Sequence, residues 1–489
     1  MNILKRISWE EEAWKNIRSK ILEIERRLEA SREIEALLRG LEGKYIEPGP
    51  SGLITRGRPD VLPTGRNFYS LDPYKIPTPS AYEVGKVLAQ KMIERYLEEE
   101  GKYPETVAIY WMCGDIMWSD GEGMGQILAL LGVSPKWDPN GRVKGFEVIP
   151  LSQLGRPRID VVVRVSGITR DNFPMCIELL DEAIERVALL DEPLELNFVR
   201  KHTKQLMEHL GGNFRSNTLR IFSTMPGTYR AGTELAVYAS AWKEKKDLAE
   251  VFLYWNGYAY GRGIWGESRH REFKEIMKGV DLTFNKVVSD EYDLFGCCCY
   301  FGTHGGLTVT AEYLSGKTVK AYYGDTRDPL KIEVRDLAEE ISRVVRTKLL
   351  NPQWIEGMKR HGYKGAGDIS QRVGRVYGWE ATTEAVADWI FDEIARTFLL
   401  NEENRNFFKE HNPYALEEIA RRLLEAASRG LWNPADDVRE NLQRLYLQIE
   451  GWMEELIEGN SSEYQGGRID IITAEEIDLW KKKMEEVLR

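Results

Sequence analysis

The 489-residue chain is 42% hydrophobic and 30% charged, so it can bury a large core without relying on disulfide or metal staples. Its net charge of −11 argues against a nucleic-acid binder that works by neutralising phosphates and against attraction to an anionic membrane. No run of 18 apolar residues occurs, the start MNILKRISWEEEAWKN lacks a signal-peptide apolar core, and three of the five cysteines are adjacent. These features read as a cytoplasmic protein kept in reducing conditions, without nucleic-acid or membrane partners.

Residues 9–42 carry Leu22, Ile24, Leu28, Ile34, Leu37 and Leu38 at helical spacing and stop at Gly40 and Gly43, which predicts an amphipathic helical lead-in. The stretch 47–80, EPGPSGLITRGRPDVLPTGRNFYSLDPYKIPTPS, has too many prolines and glycines for a helix or a central strand. It is either a linker or a functional loop held by contacts, and its aromatics and arginines favour the loop. From 81 to about 226 the pattern alternates. A helix at 81–99 leads to the strand TVAIYWM at 106–112, then IDVVVRVSG at 159–167, a helix at 173–190 and a third strand, LRIFSTM, at 219–225. Uniformly apolar strands interleaved with helices predict an α/β fold, with parallel-sheet layers covered by helices on both sides. SGITRDN, following the second such strand, falls at the edge where open α/β sheets collect ligands. Residues 227–332 mix short helices with glycine-rich turns. Apolar spacings of three and four over 333–457 predict a mostly helical region, and 458–489 read as a tail with a short helix. The expected organisation is therefore 1–80, 81–226, 227–332, 333–457 and 458–489.

Short motifs exclude several activities. SGKT at 315–318 lacks the glycine that a phosphate loop needs five residues before Gly316, where Ala311 stands. There is no GxGxxG after a strand, no HExxH and no CxxC, so dinucleotide, zincin and spaced-thiolate sites find no support. Cys297–Cys299 read first as a buried strand of small apolar residues, with a metal or redox role as the alternative. His304 precedes Gly305 and Gly306, so the backbone there can turn sharply or approach a ligand closely. Its imidazole suits either a metal or proton-transfer role or a structural hydrogen bond. His202, His209, His270, His361 and His411 have no mutual ligand spacing and read as structural.

Several longer segments, taken together, carry a resemblance. PGPSGLITRGRPDVLPTGRNFYSLDP (48–73), LGRPRIDVVVRVSGITRDNFP (154–174), LLDEAIERVALLDEPLELNFVRKH (179–202) and FSTMPGTYRAGTELA (222–236) come first. HGG (304–306), TKLLNPQWIEGMKRHGYKGAGDI (347–369) and GWEATTEAVADWIFDEIARTF (378–398) complete the series. In this order the chain resembles the large subunit of the cobaltochelatase and magnesium chelatase family from about 35 to 456. PTGRNFYS and the histidine before Gly–Gly place it nearer the cobalt branch. Family subunits are longer, so the chain resembles their C-terminal half, with a separate polypeptide supplying the N-terminal domains or with the chain as a reduced paralogue. Cobalt-type subunits resemble DSDDYYQFHGG around the histidine, whereas this chain has DLFGCCCYFGTHGG. Softer ligands there suit nickel, cobalt or zinc better than magnesium.

The resemblance implies a tetrapyrrole-binding subunit that inserts a divalent metal, most simply cobalt, into a corrin-type ring. Metal and ring are substrates, and ATP with Mg is used by AAA+ motor subunits rather than bound by this chain. A non-catalytic tetrapyrrole carrier or scaffold, or a chelatase for nickel or magnesium, are the alternatives. On this reading His304 is the metal ligand or proton acceptor, aided by Glu291 and Asp293. Arg56, Arg66 and Arg170 face the ring carboxylates, Asp171 holds Arg170, and Tyr69, Phe68 and Trp265 stack on the ring. All of this requires the 56–70 and 166–171 loops and the 304 imidazole to border one cleft.

Overall fold

The computed structural model describes residues 12–54, 58–69 and 71–459, with a few positions beyond 477. Its centre is an eight-stranded sheet: β1 (Thr106–Trp111), β2 (Asp160–Val165), β3 (Ile221–Ser223), β4 (Tyr258–Gly261), β5 (Ile264–Ser268), β6 (Leu282–Val287), β7 (Lys320–Asp325) and β8 (Glu333–Asp336). The spatial order is β8-β7-β6-β1-β2-β3-β4-β5. The five strands from β7 to β3 are parallel, and antiparallel β8 closes one edge while the β4–β5 hairpin closes the other. The α/β class, the covering helices and the helical C-terminal region are as the residue pattern predicts. Eight strands from both sides of residues 226/227 form this sheet, and two short two-stranded sheets stand apart from it.

Period-two alternation sends the strand side chains into two cores. Val107, Ile109, Trp111, Val161, Val163, Val165 and Phe284 enter one core. It is covered by α3 (Pro79–Glu100), α5 (Glu122–Leu131) and α7 (Pro174–Ala188), numbered after the lead-in helices α1 (Glu12–Glu29) and α2 (Glu33–Leu41), the short α4 (Cys113–Ser119) and α6 (Gly167–Asn172). Ala108, Tyr110, Val162, Phe222 and Tyr323 enter the other. That face is covered by α8 (Lys245–Asn256), by α9, and by α10 (Gly362–Thr383), behind which the remaining C-terminal helices stack. Helix α9 spans 298–315: it starts as Cys298–Tyr300, widens to π geometry over Phe301–Gly305 and continues as Gly306–Ser315. The lead-in helices leave Ile34, Leu37 and Leu38 exposed. Most of the predicted tail, 460–489, lies outside the described residues.

Strand order reverses at β1, which has β2 on one side and β6 on the other. Such a switch point opens a crevice at the C-terminal strand ends, the usual ligand position in open α/β sheets. The chain segments that leave it are Met112 onward and Val288 onward.

Helices α3 and α5 touch through glycines. A Cβ at Gly85 would lie 2.4 Å from the Gln126 amide nitrogen and 2.5 Å from the Glu122 carbonyl oxygen, both rigid backbone atoms. Gly85→Ala should therefore destabilise by about 1–3 kcal/mol through overpacking. Gly357→Ala, where a Cβ would meet nothing within 4 Å inside the helix Pro352–Lys359, should be neutral or stabilise by up to about 1 kcal/mol. Urea unfolding of the two variants checks this; equal effects would refute the close-packing assignment.

Candidate active site

At the switch point the chain places its own charges. Lys286, at the end of β6, is buried with its ammonium 2.7 Å from Asp115 of α4 and 2.9 Å from Glu122 of α5. Asp115 also accepts the Trp111 indole N–H at 2.8 Å and the Gly123 amide at 2.7 Å. Burial pushes its carboxyl up, but the Lys286 charge and these donors bring it below the usual range. Outside this plug, Trp118 and Tyr292 stack at 4.3 Å.

Beyond the stacked pair lies a groove of about 640 Å³ lined by Gly49–Ile54, Pro63–Arg66, Phe68, Met117, Trp118 and Glu291. The described residues of segment 47–69 form its outer wall, where Pro48–Pro50 pairs in parallel with Asn67–Tyr69. The Arg66 guanidinium donates to the carbonyls of Pro63 and Val61 at 2.8 and 3.0 Å and lies flat on Gly49, where a Cβ would sit 2.5 Å from Nε. Phe68 is 71% exposed. Glu291 is exposed and accepts a hydrogen bond from the Ser289 hydroxyl. Among the described residues the groove lining includes the Arg66 guanidinium, the Phe68 and Trp118 rings and the Glu291 carboxylate.

Arg56 and the Tyr69 side chain lie outside the described residues. The other predicted site residues do not all border this groove. Arg170 is fully buried and satisfied, donating to the carbonyls of Thr224, Met225 and Thr228 and, through Nε at 2.7 Å, to Asp171. Its charge lies over the rings of Tyr229 and Tyr260, so it clamps the segment after β3 rather than facing a ligand. Trp265 is half-exposed and meets Tyr260 edge-on. It sits on β5, four strands from β1, or about 19 Å at normal strand spacing. Asp293 is buried between Lys348 at 2.6 Å and Arg372 at 3.0 Å. Burial raises its carboxyl, yet the two cations hold it below the ordinary value, which makes it a poor proton acceptor and a good tie between loop and helices.

His304 corrects the expectation of a residue on the cleft. It is 0% exposed, inside the π segment of α9, with Nε2 3.1 Å from the Thr283 hydroxyl on β6. Trp379 meets the ring edge-on, and Tyr323 lies beside it. Burial drives the imidazole down to about 3, so it is neutral. The glycines after it serve packing: a Cβ at Gly305 would strike Thr382 at 2.2 Å, and one at Gly306 would strike Phe252 at 2.3 Å. Gly–Gly lets α9 press against α8 and α10 in mid-helix, with no turn. Cys297–Cys299 form no strand either; they begin α9, half-buried.

The groove joins one predicted loop to the switch point. The sequence reading missed Trp118, Lys286 and Asp115. DIMWSDGEG after a buried strand was the available signal, since polar residues directly after a parallel strand mark its ligand-side edge.

Residues 4–439 match the family described as CobN/Magnesium Chelatase. The chain belongs to that family. It is 64% identical to an uncharacterized protein of Methanocaldococcus jannaschii, MJ1441, over 96% of this chain and 38% of the relative. It is 40% identical to the aerobic cobaltochelatase subunit CobN of Sinorhizobium sp over 89% of this chain and 35% of the relative. The solved catalytic subunit of cobaltochelatase from Mycobacterium tuberculosis superposes with a TM-score of 0.84 at 41% identity, covering 86% of this chain and 36% of that one. The chain spans little more than a third of these relatives, in keeping with the expectation that it corresponds to part of a longer subunit. Among the described residues no helix is long and apolar enough to cross a membrane.

A pH test separates the buried state of His304 from a catalytic one. The folded imidazole stays neutral down to about 3, whereas the unfolded chain takes up a proton below the ordinary 6.5. The unfolded state therefore binds more protons between these values, and stability falls as pH falls, by at most about 1.4 kcal/mol per unit. His304→Gln should lose this component, so the stability gap between the two proteins narrows or reverses from pH 7 to pH 4 in urea titrations. Parallel curves would show that the ring is accessible to protons in the fold.

Proposed function

We propose that the chain is the tetrapyrrole-binding part of an ATP-dependent metal chelatase, inserting a divalent metal, cobalt in the first instance, into a corrin-type ring. The observation that carries the reading is the groove at the switch point, where Arg66, Phe68, Trp118 and Glu291 converge on a chain of the CobN/Magnesium Chelatase family. A guanidinium and two aromatic faces match a flat ring with a carboxylate rim. Ring metallation also releases two N–H protons, and Glu291 supplies an acceptor at the groove wall. Cobalt is favoured by what the relatives are called: a cobaltochelatase subunit in Sinorhizobium and a cobaltochelatase catalytic subunit in Mycobacterium. ATP hydrolysis falls to separate AAA+ motor subunits, and a further polypeptide covers the exposed Ile34, Leu37 and Leu38 of the lead-in helices. His304 reaches a metal on this reading only if the π segment 301–305 opens, since π geometry inside a helix is an alternative packing that such motion can exploit.

One observation favours a second reading. With His304 sealed and Asp293 ion-paired, Glu291 is the one predicted base on the groove, as would suit a tetrapyrrole carrier or scaffold that inserts no metal.

The test is to titrate the chain with a corrin-type tetrapyrrole and then add Co2+, with and without ATP and motor subunits, following the absorption spectrum. Ring binding followed by a metal-dependent band shift is expected. Arg66→Ala should weaken ring binding roughly 10-fold or more, the loss of a charged hydrogen bond. Glu291→Gln should slow insertion by about 100-fold while ring affinity stays within twofold. Binding with no metal-dependent change under any combination would establish the carrier, and failure to bind the ring would end both readings.

A further inference from the structure

The turn that opens α9 gathers three thiols. Cys297 is extended (φ −145°, ψ 145°) and caps the helix, its sulfur accepting the Cys299 amide at 3.3 Å. The cap folds the side chain back, so Cys297 Sγ lies 2.8 Å from Cys299 Sγ and all three sulfurs fall within 4.8 Å of one another. An extended run would have sent alternate thiols to opposite sides. Two thiolates on one tetrahedral ion, at the usual metal–sulfur distance, are about 3.8 Å apart, so small χ1 adjustments bring the three onto one ion. The group is half-buried and open to an ion from solvent. The helix N-terminus favours Cys297 as thiolate.

A buried carboxylate lies one turn further along, against the same helix. Glu234 is wholly buried; its Oε1 accepts the Ala231 amide at 3.0 Å, while Oε2 has no hydrogen-bond partner among the described residues. That oxygen faces α9, where a Cβ at Gly302 would lie 2.6 Å from it. Gly302 is one turn after Cys298 and on the same face. The other cysteines offer no such setting: Cys113 and Cys176 are buried singly, with thiols pushed up to about 11 and about 12.

We propose that Cys297, Cys298 and Cys299 form a trithiolate site for a borderline-soft divalent cation such as Co2+, Ni2+ or Zn2+, with water from solvent completing the coordination. Sulfur ligands exclude Mg2+ and select these ions. Binding releases the thiol protons to solvent and changes no oxidation state. The site is on the chain itself and needs no tetrapyrrole, so its failure leaves the ring-binding reading standing, and the reverse holds.

The test uses the full chain, reduced and metal-free, titrated with Co2+ alone. One equivalent should produce a thiolate-to-cobalt charge-transfer band in the near ultraviolet. Cys297→Ser/Cys298→Ser/Cys299→Ser should abolish it, while Cys113→Ser/Cys176→Ser should leave it unchanged. Because the triple variant could fold poorly, alkylation mapped by mass spectrometry on the unmodified chain gives an independent reading: Co2+ should protect residues 297–299 from iodoacetamide at least 10-fold. Absence of the band, its survival in the triple serine variant, or alkylation unaffected by Co2+ would overturn the proposal.

Discussion

The Lys286 ammonium is buried at the end of β6, and Asp115 and Glu122 stand close enough to neutralise it. Removing one member of such a group leaves an uncompensated buried charge, at a cost of about 3–5 kcal/mol. The three residues come from β6, α4 and α5, and so fix the relation between the two halves of the sheet where its winding reverses. Trp111 and Gly123 add donors to Asp115, and the Thr326 hydroxyl after β7 adds one to Glu122 at 2.6 Å. The geometry of the strand ends follows from this cluster.

Because these charges fill the innermost part of the crevice, space for a ligand lies further out, between the Trp118–Tyr292 stack and loop 47–69. A loop this rich in proline and glycine holds its shape by contacts rather than by a regular ladder. Arg66 supplies several of them, donating to carbonyls of its own loop across Gly49. The same guanidinium therefore orders the wall and charges it. Coupling of this kind puts recognition and loop order under one side chain.

On the opposite face of the sheet, α9 is closely packed through three glycines. Glycines at 302, 305 and 306 bring its backbone against Glu234, Thr382 and Phe252, and its π segment turns His304 inward onto Thr283. Close approach leaves little room for compensating donors, and Glu234 Oε2 and His304 Nδ1 are left without hydrogen-bond partners among the described residues. The helix thus joins tight packing to unspent polar capacity, with the thiol cluster at its exposed start.

The apolar strands TVAIYW and DVVVRV, the amphipathic C-terminal helices and the ordered family segments were legible in the residues alone, because period and burial are local properties of the text. The stretch 47–80 read as a loop held by contacts because of its arginines and aromatics, and the pairing of Pro48–Pro50 with Asn67–Tyr69 and the Arg66 bonds are such contacts. The fates of Arg170, Asp293 and His304 were not. Each is a polar residue beside a turn or glycine, and such a residue serves a ligand or the fold according to what packs opposite it. For Arg170 that is a set of carbonyls 54 to 58 residues away; for Asp293, two cations from helices 55 and 79 residues on. For His304 it is Thr283 and Tyr323 on the sheet and Trp379 of α10. The three cysteines show the same dependence, since a one-residue cap, rather than an extended strand, turned their sulfurs together. By itself the sequence determined which elements form and which family the chain resembles. Only the tertiary structure decided which charges meet, because partners so distant along the chain are set by packing and leave no periodic trace.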